Sequence, residues 1–188
     1  MARRGRLGGS RLALLALALL GLASLAIIGR SAAAVPSAAD VVLIPPAQAR
    51  AGELITVRLV ARNARGLAGY QGAVQFDPAR LRYVSAEIAG GLAGGGRGIL
   101  PLGPVERSGA VALGAATCPI ADCNDLRRAA TVQAMPGVDG QVDLGSVSFY
   151  AATPGHYQLT LADVRLVDAQ GNQLASTTAG TSLDVIAP

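Results

Sequence analysis

Few residues in this 188-residue chain could do chemistry. His156 is the single histidine and sits in the turn from Pro154 to Tyr157. General acid–base work or a Ser-His-Asp triad would have to run through it, and no nucleophile motif accompanies it. Glu53, Glu87 and Glu106 could supply a hydrolytic carboxylate pair if the fold brought two of them together, but nothing in their spacing singles them out. Asp122, Asn124 and Asp125 gather oxygen ligands without the glycine and terminal glutamate of an EF-hand loop, so helix capping by Asp122 or Asn124 is the favoured reading. The stretch 90–98, GGLAGGGRG, has the glycine content of a phosphate cradle. It leads into Ile99, Leu100, Pro101 and Pro104 rather than into a helix bearing Lys or Ser/Thr, so a mobile surface loop is expected. Taken together, the residues predict no catalytic centre, no bound metal and no cofactor.

Cys118 and Cys123 are the only two cysteines. An even number in an exported chain favours a disulfide, whose short loop would confer local rigidity. A metal pair is the rival reading, but two thiols with one histidine make a poor zinc site.

Export is expected from the N-terminus. Arg3, Arg4, Arg6 and Arg11 precede an apolar run from Leu12 to Ile28, followed by small residues through Ala39. This is the pattern of a signal peptide, with Ala32 and Ala34 forming one A-x-A cleavage site and Ser37 with Ala39 a second. An uncleaved membrane anchor is the alternative, since the run is at the short edge of what spans a bilayer. The expected division is a leader over 1–39 and one domain over 40–188, secreted or anchored by the leader. The formal charge of +4 belongs to the whole chain. Five of its sixteen basic residues, all arginines, lie at or before Arg30, leaving eleven against twelve acidic residues. The remaining domain is near neutral and has no basic cluster interleaved with aromatics, which argues against a nucleic-acid partner.

The elements that must carry any site are strands. In 69–85, GYQGAVQFDPARLRYVS, Tyr70, Gly72, Val74 and Phe76 alternate with Gln71, Ala73, Gln75 and Asp77. This is the period of a strand with one buried face, and Asp77-Pro78 then turns the chain into a second strand from Leu81. Ile55, Val57, Leu59 and Ala61 alternate in the same way with Thr56, Arg58, Val60 and Arg62. Val41 to Ile44, closed by Pro45-Pro46, suits an edge strand, and 64–69 reads as a connection. A strand pair turns at Ser108-Gly109, with Val111, Leu113 and Ala115 in one phase. Asn124 to Met135 reads as a short helix. The phase of Val142 and Leu144 differs from that of Val147, Phe149 and Ala151, predicting a bulge at Gly145. A second slip, at Ala162-Asp163, separates Tyr157, Leu159 and Leu161 from Val164 and Leu166. Leu183 and Val185 alternate in the last strand. About nine short strands with frequent Gly and Pro turns predict an all-β antiparallel sandwich of jelly-roll type. Its core would be anchored by Tyr70, Phe76, Tyr83, Phe149 and Tyr157.

Four pieces in order, AGELITVRLVARN, GYQGAVQFDPARLRYVS, PGVDGQVDLGSVSFYA and PGHYQLTLADVRLVDAQGN, resemble the cohesin domains, which share a sandwich with certain bacterial carbohydrate-binding modules. The resemblance covers nearly all of the chain after the leader. It implies a nine-stranded jelly roll, export, and binding of a dockerin-type protein module that carries its own calcium, as in polysaccharide-degrading assemblies. The positions it implies for partner binding are Gly69, Gln71, Ala73 and Gln75. Typical cohesins have an amide or acidic residue toward the start of that strand, where Gly69 and Gln71 stand here. The cysteine pair and the glycine loop also depart from the usual pattern. The alternative partner is a polysaccharide, for which Tyr150, out of phase with Phe149, is the one candidate stacking ring in a chain without Trp.

Overall fold

The computed structural model describes residues 38–123 and 135–188. Thirteen strands follow in order: β1 (Ala39–Ile44), β2 (Ala49–Arg50), β3 (Leu54–Leu67), β4 (Gly69–Gln75), β5 (Leu81–Ile88), β6 (Arg97–Pro101), β7 (Val105–Arg107), β8 (Ala110–Pro119), β9 (Val138–Ala151), β10 (Gly155–Val167), β11 (Gln173–Leu174), β12 (Ser176–Ala179) and β13 (Thr181–Ile186). A five-stranded sheet has the order β12-β1-β3-β9-β5. An eight-stranded sheet runs β2-β13-β10-β4-β8-β6, with β11 added to β10 and β7 to β8. The expected sandwich is present, its extra segments being strands of two to four residues.

The alternation read from the sequence becomes the core. Ile55, Val57, Leu59 and Ala61 of β3 are buried together with Val74 of β4, Val111, Leu113 and Ala115 of β8, and Leu159 and Leu166 of β10. Phe76 and Phe149 meet from the two sheets with ring centroids 5.0 Å apart, a tilted pair of the kind that adds to area burial. Tyr157 is buried, whereas Tyr83 is half-buried at the margin.

The Asp77-Pro78 corner carries the chain from β4 in one sheet to β5 in the other. The Asp77 carboxylate accepts the Ala79 N–H at 2.9 Å, and its carbonyl accepts the N–H groups of Arg80 and Leu81. The Arg80 guanidinium lies over the Tyr157 ring, 4.5 Å from its centroid. The last strand changes sheets as well, with β12 beside β1 and β13 beside β10.

Both predicted phase slips are bulges. On β9 the register jumps from Gly145, opposite Leu59, to Asp143, opposite Val60, leaving Leu144 unpaired with β3. Gly145 is required here because a Cβ would stand 2.5 Å from the Glu87 carbonyl. The Leu144 carbonyl instead accepts the Ala89 N–H at 3.0 Å and the buried Tyr70 hydroxyl at 2.5 Å. A bulge in one sheet is thus bonded to a strand of the other. Burial, followed by the nearby Asp143 charge, pushes the Tyr70 hydroxyl well above its ordinary value. On β10 the bulge falls between Ala162 and Arg165, opposite β4, and Asp163 takes a φ of 52°. Aspartate tolerates that left-handed conformation better than most residues.

Three expectations need correction. β1 is not an edge, since β12 pairs with it in parallel and the Thr177 hydroxyl donates to Asp40 at 2.5 Å. The stretch 64–69 is largely strand, because Asn63 at φ 55° lets β3 bulge and continue to Leu67. The glycine-rich stretch 90–98 is packed down rather than loose. Leu92 is buried, Gly94 bridges Arg97, and Arg97 donates to the Leu92 and Pro136 carbonyls. The expected helix from Asn124 to Met135 lies outside the described residues, apart from Met135 itself, as does the leader through position 37.

The Tyr70 bond generates a pH prediction. Its folded pKa is raised above the unfolded value of about 10, so above that pH the unfolded chain has lost a proton that the native state keeps. Stability should therefore fall with rising pH above about 10, by up to about 1.4 kcal/mol per unit from this group. Tyr70→Phe should cost about 1 kcal/mol at neutral pH, since Leu144 retains the Ala89 N–H. It should also flatten the alkaline slope. Urea unfolding of both forms from pH 7 to 11 checks this.

Candidate functional site

The outer face of the eight-stranded sheet is set by the phase of β4. With Tyr70 and Val74 buried, Gln71 and Gln75 are exposed and Ala73 is half-buried between them. Gly69 shares their phase but is buried, because β8 and β10 close over it. A Cβ there would stand 2.9 Å from Val167 Cγ2 and 3.2 Å from the Ala115 carbonyl. Three of the four positions singled out in β4 therefore share an accessible face, and Gly69 provides close packing beside it.

Register supplies the neighbours. Gln75, Ala73 and Gln71 stand opposite Ala110, Ala112 and Gly114 of β8. On the other side Thr160, Ala162 and Arg165 of β10 stand opposite the same three residues. The Thr160 hydroxyl donates to the Gln75 side-chain oxygen at 3.1 Å. Val105 and Arg107 of β7 pair with Ala112 and Ala110, and the Leu102 N–H donates to the Gly114 carbonyl at 2.7 Å. The result is a groove of about 370 Å³ lined by Gln71, Ala73, Gln75, Leu102, Val105 and Arg107, with Ala110, Ala112 and Asp163. Its floor is made of small side chains. Leu102 and Val105, 48% and 51% exposed, form an apolar wall, and the β10 bulge places Asp163 on the opposite side.

Sequence reasoning reached the floor strand but not all of the walls. Ala110 and Ala112 are the complementary phase of Val111 and Leu113, so they could have been found. Val105 and Arg107 belong to the strand pair expected to turn at Ser108-Gly109, which sets them beside Ala112 and Ala110. Only Leu102, whose position depends on how the chain runs along β8, carried no signal at all. Asp163 was marked only as a phase slip.

The remaining candidates do not converge. Glu87 lies on β5 and Glu106 on β7, in different sheets, and Glu53 precedes β3. His156 is exposed, with its Nδ1 against the carboxylate of Asp184, its register partner on β13. Cys118 and Cys123 are disulfide-bonded, as the cysteine count suggested, and Gly98 lies where a Cβ would strike the Cys123 sulfur. Asp122 sits in the turn after Pro119, while Asn124 and Asp125 lie outside the described residues. Tyr150, on the outer face of the five-stranded sheet, is half-buried with the Arg82 guanidinium 5.2 Å from its ring centroid. That face is otherwise polar, with Arg58 donating to Asp143 at 2.6 Å and Thr56 bonded to Ser148 at 2.8 Å. The Asp168 turn is a further polar feature, its carboxylate accepting from Gln170 and Asn172. The Asn172 side chain above all holds it below the usual carboxylate range.

No family model matches the chain, and no curated protein matches it. Among solved structures it is similar to a non-cellulosomal cohesin from the archaeon Archaeoglobus fulgidus, with 19% identity over 80% of this chain and 92% of that one and a TM-score of 0.54. A cohesin from Clostridium thermocellum, in complex with a dockerin, aligns with 8% identity over 80% of this chain and 95% of that one, at a TM-score of 0.60. A cohesin module of a family 33 glycoside hydrolase from Clostridium perfringens gives 9% identity, 81% and 99% coverage and a TM-score of 0.58. The domain has the cohesin fold.

Proposed function

We propose that this protein is an exported, non-catalytic binding module that receives a dockerin-type protein partner on the outer face of β10, β4 and β8, with calcium carried by the partner. The observation that carries this reading is the groove itself. A floor of Ala73, Ala110 and Ala112 beside exposed Leu102 and Val105 leaves room for a partner's side chains and offers apolar surface that stability of the domain alone does not require. Its occurrence in a sandwich similar to cohesins, one of them in complex with a dockerin, supports the class of partner. Assembly with extracellular polysaccharide-degrading enzymes would follow from the same reading. A polysaccharide as direct ligand is less well served, because the one candidate ring, Tyr150, already has Arg82 across it.

Placing an arginine on the groove floor should separate binding from folding. Ala73→Arg is expected to weaken binding of a calcium-loaded dockerin by about 2 kcal/mol or more, roughly 30-fold. Its unfolding free energy from urea denaturation should stay within about 0.5 kcal/mol of the parent. Calorimetric titration of both forms against a dockerin panel, with and without chelator, checks this, and uniform absence of binding by the parent would sink the reading.

Export adds a second expectation. Ala39 is buried and its N–H donates to the Ala175 carbonyl at 2.9 Å. Cleavage after Ala34 would keep β1 whole, whereas cleavage after Ala39 would remove its first residue. N-terminal sequencing of the secreted protein should begin at Val35.

A further inference from the structure

The groove is charged asymmetrically. Asp163 stands on the β10 side and Arg107 on the β7 side, three strand spacings across and about two residues along, which places them roughly 15 Å apart diagonally. Among the described residues neither forms an ion pair or a side-chain hydrogen bond. Asp163 is held at φ 52° by the bulge, so its carboxylate is carried on a fixed irregularity of the backbone. Between these charges the floor is two strands wide, and the walls on β10 and β7 are about 14 Å apart. A helix with its side chains is about 10 Å across and fits that width. A partner strand would need a free edge, and the edge of β8 beside this floor is already taken by β6, Leu102 and β7.

We infer that Asp163 and Arg107 are specificity-determining residues, selecting and orienting a partner helix that sets a basic side chain against Asp163 and an acidic one against Arg107, with its apolar flank on Leu102 and Val105. This rests on the reading of the groove as the partner's seat. Two opposite charges at diagonal corners do what a uniform patch cannot, because a helix laid in the reverse direction meets like charges at both ends. The floor strand β4 carries no charge of its own between Gly69 and Gln75, so orientation falls to its neighbours.

The full chain, produced with its own leader, is titrated by calorimetry at low salt against a panel of calcium-loaded dockerins. Four variants accompany the parent: Ala73→Arg, Asp163→Arg, Arg107→Glu and Arg62→Glu. Arg62 is exposed on β3 of the opposite sheet and serves as the control. Asp163→Arg and Arg107→Glu should each weaken binding roughly tenfold, Arg62→Glu should change it less than threefold, and reversing the opposing charge on the dockerin should restore the loss. Binding that Ala73→Arg abolishes but that neither groove charge moves overturns this inference while leaving the face as the partner's seat. Equal losses from Arg62→Glu overturn it as well, since the whole field rather than the pair would then be read. No binding by the parent to any dockerin overturns both readings. Self-association of the parent that Asp163→Arg dissolves would put a second copy in the groove and overturn the inference.

Discussion

A strand in a sandwich cannot slip by one residue without exchanging its buried side chains for its exposed ones, and in β4 that constraint is enforced at both ends. At the start, the Tyr70 hydroxyl is bonded to the Leu144 carbonyl of the opposite sheet. Just past the end, Phe76 packs on Phe149 and its N–H is held by the Gly109 carbonyl. With Tyr70, Val74 and Phe76 fixed inward, Gln71, Ala73 and Gln75 have one direction left. The surface proposed to receive a partner is therefore a consequence of how the core is filled.

The irregularities serve the same arrangement. The β9 bulge at Gly145 frees the Leu144 carbonyl that Tyr70 uses, so the defect in one sheet fixes the register of the other. The β10 bulge lifts Asp163 beside the floor. Bulges at such positions re-aim side chains that a regular ladder would send elsewhere. The two outer faces differ accordingly. The five-stranded sheet presents internally bonded polar groups such as Arg58 with Asp143 and Thr56 with Ser148. The eight-stranded sheet presents small residues, exposed apolar side chains and, at the groove, Asp163 and Arg107 without ion-pair partners among the described residues.

Much of this was legible in the residues because period-two alternation reports burial directly. It located β3, β4, β8 and the inward phases of β9 and β10, and a break in the alternation located both bulges. What alternation cannot report is which strand lies beside which. The edge reading of Val41 to Ile44 failed because β12 returns from far along the chain. The Leu102 wall was missed for the same reason, since Leu102 matters only once 97–102 lies along β8, whereas Val105 and Arg107 follow from the expected turn at Ser108-Gly109. The stretch 90–98 looked loose because glycine signals conformational freedom. Here the absent side chains also permit close approach to the Asp143 backbone and the Cys123 sulfur. Gly69 shows a related limit, because outward phase does not guarantee exposure when Val167 covers the position.

The central claim is that the partner sits on β10, β4 and β8 and nowhere on the opposite sheet. Alanine-methyl NMR of the full chain, recorded while a calcium-loaded dockerin is added to saturation, addresses it directly, because alanines mark both sheets. Shifts are expected at Ala73, Ala110 and Ala112, with Ala179, exposed on β12 of the opposite sheet, unmoved. Shifts at Ala179 with those three unmoved would contradict it.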